Sequence, residues 1–252
     1  MAHPPRLPYL YDRWSEQIPP LPTLMHAMIA ISILVETGAV LTGFIAAIAG
    51  RENIAAAQAI SYGIAAVAVS IGMSVFLDGR GVPGSEVWRW EPAARDERDS
   101  WWRWKGSRQD VIFRLVPLGV AGGIVLALVA RSYLAALQHI PAAAEILRKS
   151  QEEMVKIQDF KLWMSIGAVV FAPFAEEYLF RGLLYRALDR EWGGWRAVVG
   201  SAAFFAIYHP PLSWLPVALL GAANSLLFKK TGRLLPAVIV HMTYNAIIVL
   251  YS

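Results

Sequence analysis

The chain has 252 residues, of which 56% are hydrophobic and only 17% are charged. Soluble domains carry about a quarter charged residues, so this composition argues against a soluble domain and indicates an integral membrane protein. The net charge of +4 fits the Lys and Arg of cytoplasmic loops, and no nucleic-acid partner is expected. The absence of cysteine excludes disulfides and thiolate catalysis.

Successive apolar runs along the chain each predict a membrane helix, because about 20 apolar residues span the hydrocarbon core of a bilayer. The runs lie near 25–50, 54–76, 111–137, from Leu162 onward, and near 196–209, 213–228 and 234–251. Polar residues and prolines interrupt the last four, as in helices that line an internal cavity. We therefore predict an all-α integral membrane protein with about seven transmembrane helices, the last four enclosing a polar site.

The predicted helices divide the chain into two parts. Residues 1–160 hold an N-terminal tail, three membrane helices and amphiphilic loops, and residues 161–252 hold the last four helices. Lys and Arg are concentrated in alternate connecting segments, including the loop 77–110. The positive-inside rule therefore predicts a multi-pass protein with its N-terminus in the cytoplasm.

Two connecting segments are amphiphilic. The segment 85–110, "SEVWRWEPAARDERDSWWRWKGSRQD", interleaves Trp with Arg. This pattern predicts a loop on the membrane surface or, alternatively, a surface that docks substrate. The segment 142–161 predicts a short amphipathic helix on the other side of the bilayer.

The stretch "APFAEEYLFRGLLYR" places charges where they are costly. An ionisable side chain within a membrane span is a functional candidate by default. Glu177 and Arg181 are four residues apart, share a helix face and are expected to pair. Glu176 points about 100° away from that pair. The simplest division of labour makes Glu177 and Arg181 structural and leaves Glu176 for chemistry.

Two further polar groups fall in apolar surroundings. The segment "FFAIYHPP" ends in His209, with Phe205 one turn earlier, and "VIVHMTYNAIIVL" holds His241 and Asn245 one turn apart. Each feature alone is equally consistent with packing or with hydrogen bonds between helices. A free carboxylate, two imidazoles and an amide on three neighbouring helices can together activate water and stabilise an oxyanion.

The segments "EEYLFR", "FAIYH" and "HMTYN", in this order, resemble the CPBP or Abi family of intramembrane proteases, which includes the type II CAAX prenyl endopeptidases. The family pattern is E-E-x-x-x-R, then F-x-x-x-H, then H-x-x-x-N. The resemblance covers about residues 160–252 and no motif before them. It implies that this part is the catalytic core, with Glu177, Arg181 and Phe205 as supporting residues.

The resemblance also implies an activity, an intramembrane endopeptidase that hydrolyses a peptide bond with activated water. Glu176 would be the general base and His209 would position and polarise the water. His241 and Asn245 would stabilise the oxyanion. The expected partners are the lipid bilayer and a peptide or protein substrate, either with a prenylated C-terminus or unrelated to prenylation.

A metal is the open question. Glu176, His209 and His241 suit zinc by type, with water in the fourth position, and a metal-free glutamate mechanism explains them equally well. Asn245 beside His241 suits a donor pair better than a ligand pair. The sequence near the two histidines also offers no carboxylate to hold a ligating imidazole. These points favour slightly a mechanism without a cofactor.

Two other function classes compete with a peptidase. A transporter or ion pathway also places Glu, Arg and His inside the membrane, although no inverted repeat supports it here. A catalytically silent membrane regulator would keep the fold without the activity. The intact set of motifs argues mildly against that second alternative.

Overall fold

The computed structural model describes residues 22–50, 53–82, 87–88, 114–155, 162–163 and 165–250. These residues are almost entirely helical, and no β-strand occurs among them. The N-terminal tail, most of the tryptophan-rich segment 85–110 and the end of the segment 142–161 lie outside the described residues.

The first half of the chain forms four helices within the described ranges. They are α1 (Leu24–Ala49), α2 (Ile54–Asp78), α3 (Val116–Leu137) and α4 (Pro141–Val155). Thr23 caps α1, because its side chain accepts a hydrogen bond from the backbone N–H of His26. The helices α1 and α2 follow each other closely in sequence and pack together.

The second half begins with α5, which is continuous but not uniform. It consists of a π-helical part Ser165–Phe171, an α-helical part Ala172–Glu177, a second π-helical part Tyr178–Tyr185 and an α-helical end Arg186–Glu191. Pro173 has no backbone N–H, so an ordinary α-helical bond cannot form in the turn before it. Widened π-helical turns occur frequently at functional sites.

Three helices complete the fold after a turn at Gly193 and Gly194, both of which have positive φ. They are α6 (Gly194–Ile207), α7 (Trp214–Thr231), preceded by a short 3₁₀ turn, and α8 (Leu234–Leu250). The helix α5 lies at the centre and packs against α1, α2, α6, α7 and α8. The fold therefore surrounds the Glu176–Glu177 pair with helices from both halves of the chain.

The predicted all-α membrane fold is confirmed. The helices α1, α2, α3 and the segment Pro211–Thr231 are each long and apolar enough to cross a membrane. The apolar helices α6 and α8 are shorter. Every predicted apolar run is helical over most of its described residues, while the number of spans and the cytoplasmic N-terminus stay predictions.

The helix predicted within 142–161 is present as α4 over Pro141–Val155, while its side of the bilayer stays a prediction. Arg148 pairs with Glu145 and Glu152 on its exposed surface. Hydrogen bonds from Arg148 and Lys149 lower the pKa of the Glu145 carboxyl. Such exposed pairs contribute little to stability.

Apolar side chains face outward from the bundle, as expected for a surface in contact with lipid. Val40, Phe44 and Ile48 of α1 are more than 60% exposed, whereas Glu177 and Arg181 are fully buried. Charged groups in the bundle interior and apolar groups on its outside are the arrangement that a bilayer requires.

The helices α3 and α8 approach each other through two glycines one turn apart. A Cβ added at Gly123 would lie 2.6 Å from Thr243 Cβ and 2.6 Å from the Val240 carbonyl oxygen. A Cβ at Gly119 would lie 3.1 Å from Ile239 Cγ2. Small residues let helix backbones pack closely in membrane proteins. This contact fixes α8, which carries His241 and Asn245.

We expect Gly123→Ala to destabilise the protein by about 1–3 kcal/mol, because the added methyl group collides with the backbone of α8. Gly122→Ala is the matched control, since its Cβ would meet Val240 Cγ2 at an ordinary 3.8 Å. Both substitutions make the same gain in helix propensity. Thermal unfolding in detergent measures the difference. Equal melting temperatures for the two variants would show that α3 and α8 are not in this close contact.

Candidate active site

The paired acid and base of the first motif lie at the centre of the bundle. Arg181 Nη1 donates to Glu177 Oε1 at 3.0 Å, and both side chains are completely buried. Arg181 Nη2 donates to the carbonyl oxygen of Gly221 on α7 at 3.1 Å. The guanidinium carbon lies 4.4 Å from the centroid of the Phe205 ring. The i, i+4 pair predicted from the sequence is therefore present and joins α5 to α6 and α7.

Glu177 also holds His241, which the sequence did not indicate. Its Oε1 atom accepts hydrogen bonds from Asn224 Nδ2 and His241 Nδ1, each at 2.8 Å, in addition to the one from Arg181. An ionised carboxylate only accepts, so the Nδ1 atom of His241 carries the proton. In the neutral imidazole, Nε2 is then the atom with a free lone pair.

Glu176 is hydrogen-bonded through one of its carboxylate oxygens and not through the other. Its Oε1 atom accepts a hydrogen bond from the Tyr62 hydroxyl at 2.9 Å. Its Oε2 atom is buried and has no hydrogen-bond partner among the described residues. That oxygen lies 3.7 Å from His241 Nε2, and the side chain is 14% exposed. An unpaired buried carboxylate oxygen is costly, so Oε2 is the atom available to bind a water or a substrate group.

In the second motif, the imidazole of His209 packs against the Phe205 ring. His209 Nδ1 donates to the carbonyl oxygen of Phe205 at 2.9 Å, and the two ring centroids are 4.8 Å apart. The Phe205 ring also contacts the His241 ring edge to face, with centroids 5.6 Å apart. Phe205 therefore packs against both imidazoles. Within the described residues, no hydrogen bond or ion pair joins His209 to Glu176 or Glu177.

Asn245 binds the backbone of α5. Its Nδ2 atom donates to the carbonyl oxygen of Ala168 at 2.6 Å. Ala168 belongs to the π-helical part Ser165–Phe171, one element before Glu176. The amide has a second N–H, which remains as a donor. The sequence predicts Asn245 as a partner of His241 in oxyanion binding, and the structure gives it a role in joining α8 to α5.

The fit of a metal to these residues is mixed. Both imidazoles donate Nδ1 to an oxygen, the arrangement usual for metal-ligating histidines, which leaves each Nε2 as a ligand atom. The sequence near His241 offers no carboxylate, but Glu177 supplies one from a different helix. However, the described part of the chain contains no group of three His, Cys, Asp or Glu side chains placed to hold a metal ion. Glu176, His209 and His241 therefore do not form such a group in the described part of the chain.

Three residues of the site do not belong to any of the three sequence motifs. Tyr62 on α2 and Asn224 on α7 each bind a glutamate of the pair, and both are polar groups inside apolar runs. That position alone marks a residue as a candidate. Gly221 has no such signal. A Cβ there would lie 3.1 Å from Ala202 Cα, so glycine lets α7 pack closely on α6.

The comparisons with known proteins agree with the motifs. Residues 158–247 match the family model described as type II CAAX prenyl endopeptidase Rce1-like. This segment contains all three motifs, from Glu176 to Asn245. No curated protein and no solved structure shows a significant match to the chain. Over residues 158–247, the chain is therefore similar to the Rce1-like family of type II CAAX prenyl endopeptidases.

Proposed function

We propose that this protein is an intramembrane endopeptidase that cleaves prenylated C-terminal peptides with water activated by Glu176. The observation that supports this most strongly is the Oε2 atom of Glu176, which has no hydrogen-bond partner among the described residues and lies 3.7 Å from Nε2 of His241. Both residues belong to motifs of the matched segment 158–247. The substrate class comes from the description of that family.

In the proposed reaction, Glu176 acts as the general base. Its Oε2 atom accepts a proton from a bound water, whose oxygen attacks the carbonyl carbon of the scissile peptide bond. The resulting oxyanion collapses, the C–N bond breaks, and the departing amine takes the proton back from Glu176. The products are a new carboxylate and a free amine.

The proposed role of His241 is to stabilise the oxyanion with a proton on Nε2. That nitrogen lies 3.7 Å from Glu176 Oε2. The hydrogen bond from Nδ1 to Glu177 fixes the orientation of the ring. A preorganised donor of this kind contributes about 3 kcal/mol to transition-state stabilisation.

Asn245 and His209 complete the proposed machinery. The free N–H of the Asn245 amide is a second donor for the oxyanion. We assign His209 to positioning and polarising the water or the substrate carbonyl through Nε2, since its Nδ1 is bound to the Phe205 carbonyl. The contact of both imidazoles with the Phe205 ring supports a shared site.

The proposal is tested with purified protein in liposomes and a quenched fluorescent peptide that ends in a farnesylated C-a-a-X sequence. We expect cleavage after the prenylated cysteine, and no cleavage of the same peptide without the farnesyl group. Equal cleavage of both peptides would reject the substrate class and keep the peptidase. No cleavage of either would favour the transporter or the silent regulator.

We also propose that the reaction needs no metal, and the same assay tests this. Activity should survive treatment with a zinc chelator and dialysis, with the metal content of the purified protein measured in parallel. Stoichiometric zinc whose removal abolishes cleavage, with recovery when zinc is added back, would overturn this part of the proposal.

A further inference from the structure

We propose that Tyr62 is a positioning residue that holds the general base Glu176 in its reactive orientation. Tyr62 lies on α2, 114 residues before Glu176, and donates its hydroxyl proton to Glu176 Oε1 at 2.9 Å. It lies outside the matched segment 158–247, so no family motif includes it. The inference rests on the proposed function, and it makes the N-terminal helices part of the active site.

Close packing of α2 on the first π-helical part of α5 places Tyr62 within reach of Glu176. Gly63, the next residue, lies against the Phe171 ring, where an added Cβ would be 3.0 Å from Cδ2. Ala59, one turn earlier, meets Gly167, where an added Cβ would be 3.3 Å from Ala59 Cβ. Small residues on both sides of Tyr62 therefore bring the α2 backbone close to α5.

The hydrogen bond decides which oxygen of Glu176 is free. Among the described residues, Tyr62 is the one side chain that donates a hydrogen bond to this carboxylate. Binding Oε1 restricts rotation of the carboxylate and leaves Oε2 beside His241 Nε2. Without the hydroxyl, the carboxylate can rotate away from the bound water. A misplaced catalytic group costs up to about 100-fold in rate, even when the fold is unchanged.

A second tyrosine provides a matched control at the same interface. The Tyr178 hydroxyl of α5 and Ser74 Oγ of α2 are hydrogen-bonded at 3.0 Å. Tyr62→Phe and Tyr178→Phe therefore each remove one hydroxyl-mediated hydrogen bond between α2 and α5. The Tyr178 hydroxyl bond does not involve Glu176. A purely structural role of Tyr62 would make the two variants alike.

The activity test compares these variants on the farnesylated peptide. We expect Tyr62→Phe to lower kcat by about 10- to 100-fold with KM within about twofold of the wild type. Tyr178→Phe should keep kcat within about twofold of the wild type at a similar loss of thermal stability. An unchanged kcat in Tyr62→Phe, or equal losses in both variants, would overturn the inference.

A stability cycle tests the contact without relying on activity. Melting temperatures are measured for Tyr62→Phe, Glu176→Leu and the double variant in detergent. The loss caused by Tyr62→Phe should largely disappear when Glu176 is already leucine, because the acceptor is gone. Additive losses would reject the Tyr62–Glu176 contact. If the wild type cleaves no probe, the proposed function fails, and this cycle alone decides whether Tyr62 holds Glu176.

Discussion

Glu176→Gln is expected to lower kcat by about 10²- to 10⁴-fold, the usual contribution of a general base. Glutamine keeps the size of the side chain and can still accept the hydrogen bond from Tyr62. It cannot take a proton from water. The folded protein should therefore remain in the membrane with nearly unchanged thermal stability, while cleavage of the farnesylated peptide is lost.

Glu191→Gln is the control for this substitution, because Glu191 is the last residue of α5 and is exposed. We expect wild-type kcat for it. Substantial cleavage by Glu176→Gln, at more than about a tenth of the wild-type rate, would exclude Glu176 as the general base.

Glu177→Gln should lower stability instead, by about 3 kcal/mol or more. Arg181 is completely buried and would lose the only carboxylate to which it is seen to donate among the described residues. Asn224 and His241 would lose the negative charge on their common acceptor. Thermal and denaturant unfolding in detergent measure the change.

The exposed pair Arg148–Glu152 offers a matched control for Glu177→Gln. It also joins an arginine and a glutamate four residues apart, but both side chains are 54% exposed. Glu152→Gln should leave the melting temperature unchanged within error, because solvent screens exposed ion pairs. If Glu177→Gln were as stable as Glu152→Gln, the buried network would not stabilise the fold.

Local spacing explains which parts of the site the sequence could predict. The apolar runs depend on composition, and the Glu177–Arg181 pair depends on the turn of a helix, so both are visible without a structure. The shared face of His241 and Asn245 follows from the same rule. The partners of these two residues do not follow from helix spacing, because both partners lie on a different helix. His241 binds Glu177 and Asn245 binds the Ala168 carbonyl, both on α5.

The parts of the site that could not be predicted from the sequence depend on contacts between helices. Tyr62 and Asn224 meet the two glutamates across interfaces with α2 and α7, and nothing in the periodicity of either helix specifies that partner. The π-helical turns on both sides of Ala172–Glu177 also alter which groups face each other. The predicted division of the chain at residue 160 stays a prediction. Tyr62 shows that a residue of the first part nevertheless contacts the core.

The most direct test of the central claim is mass spectrometry of the farnesylated peptide after incubation with the purified protein in H₂¹⁸O. The account predicts one cut after the prenylated cysteine, with one ¹⁸O atom in the new carboxylate. It predicts no such product from Glu176→Gln. A wild type that yields no cleaved peptide, or a Glu176→Gln variant that yields the same labelled product at the same rate, would contradict it.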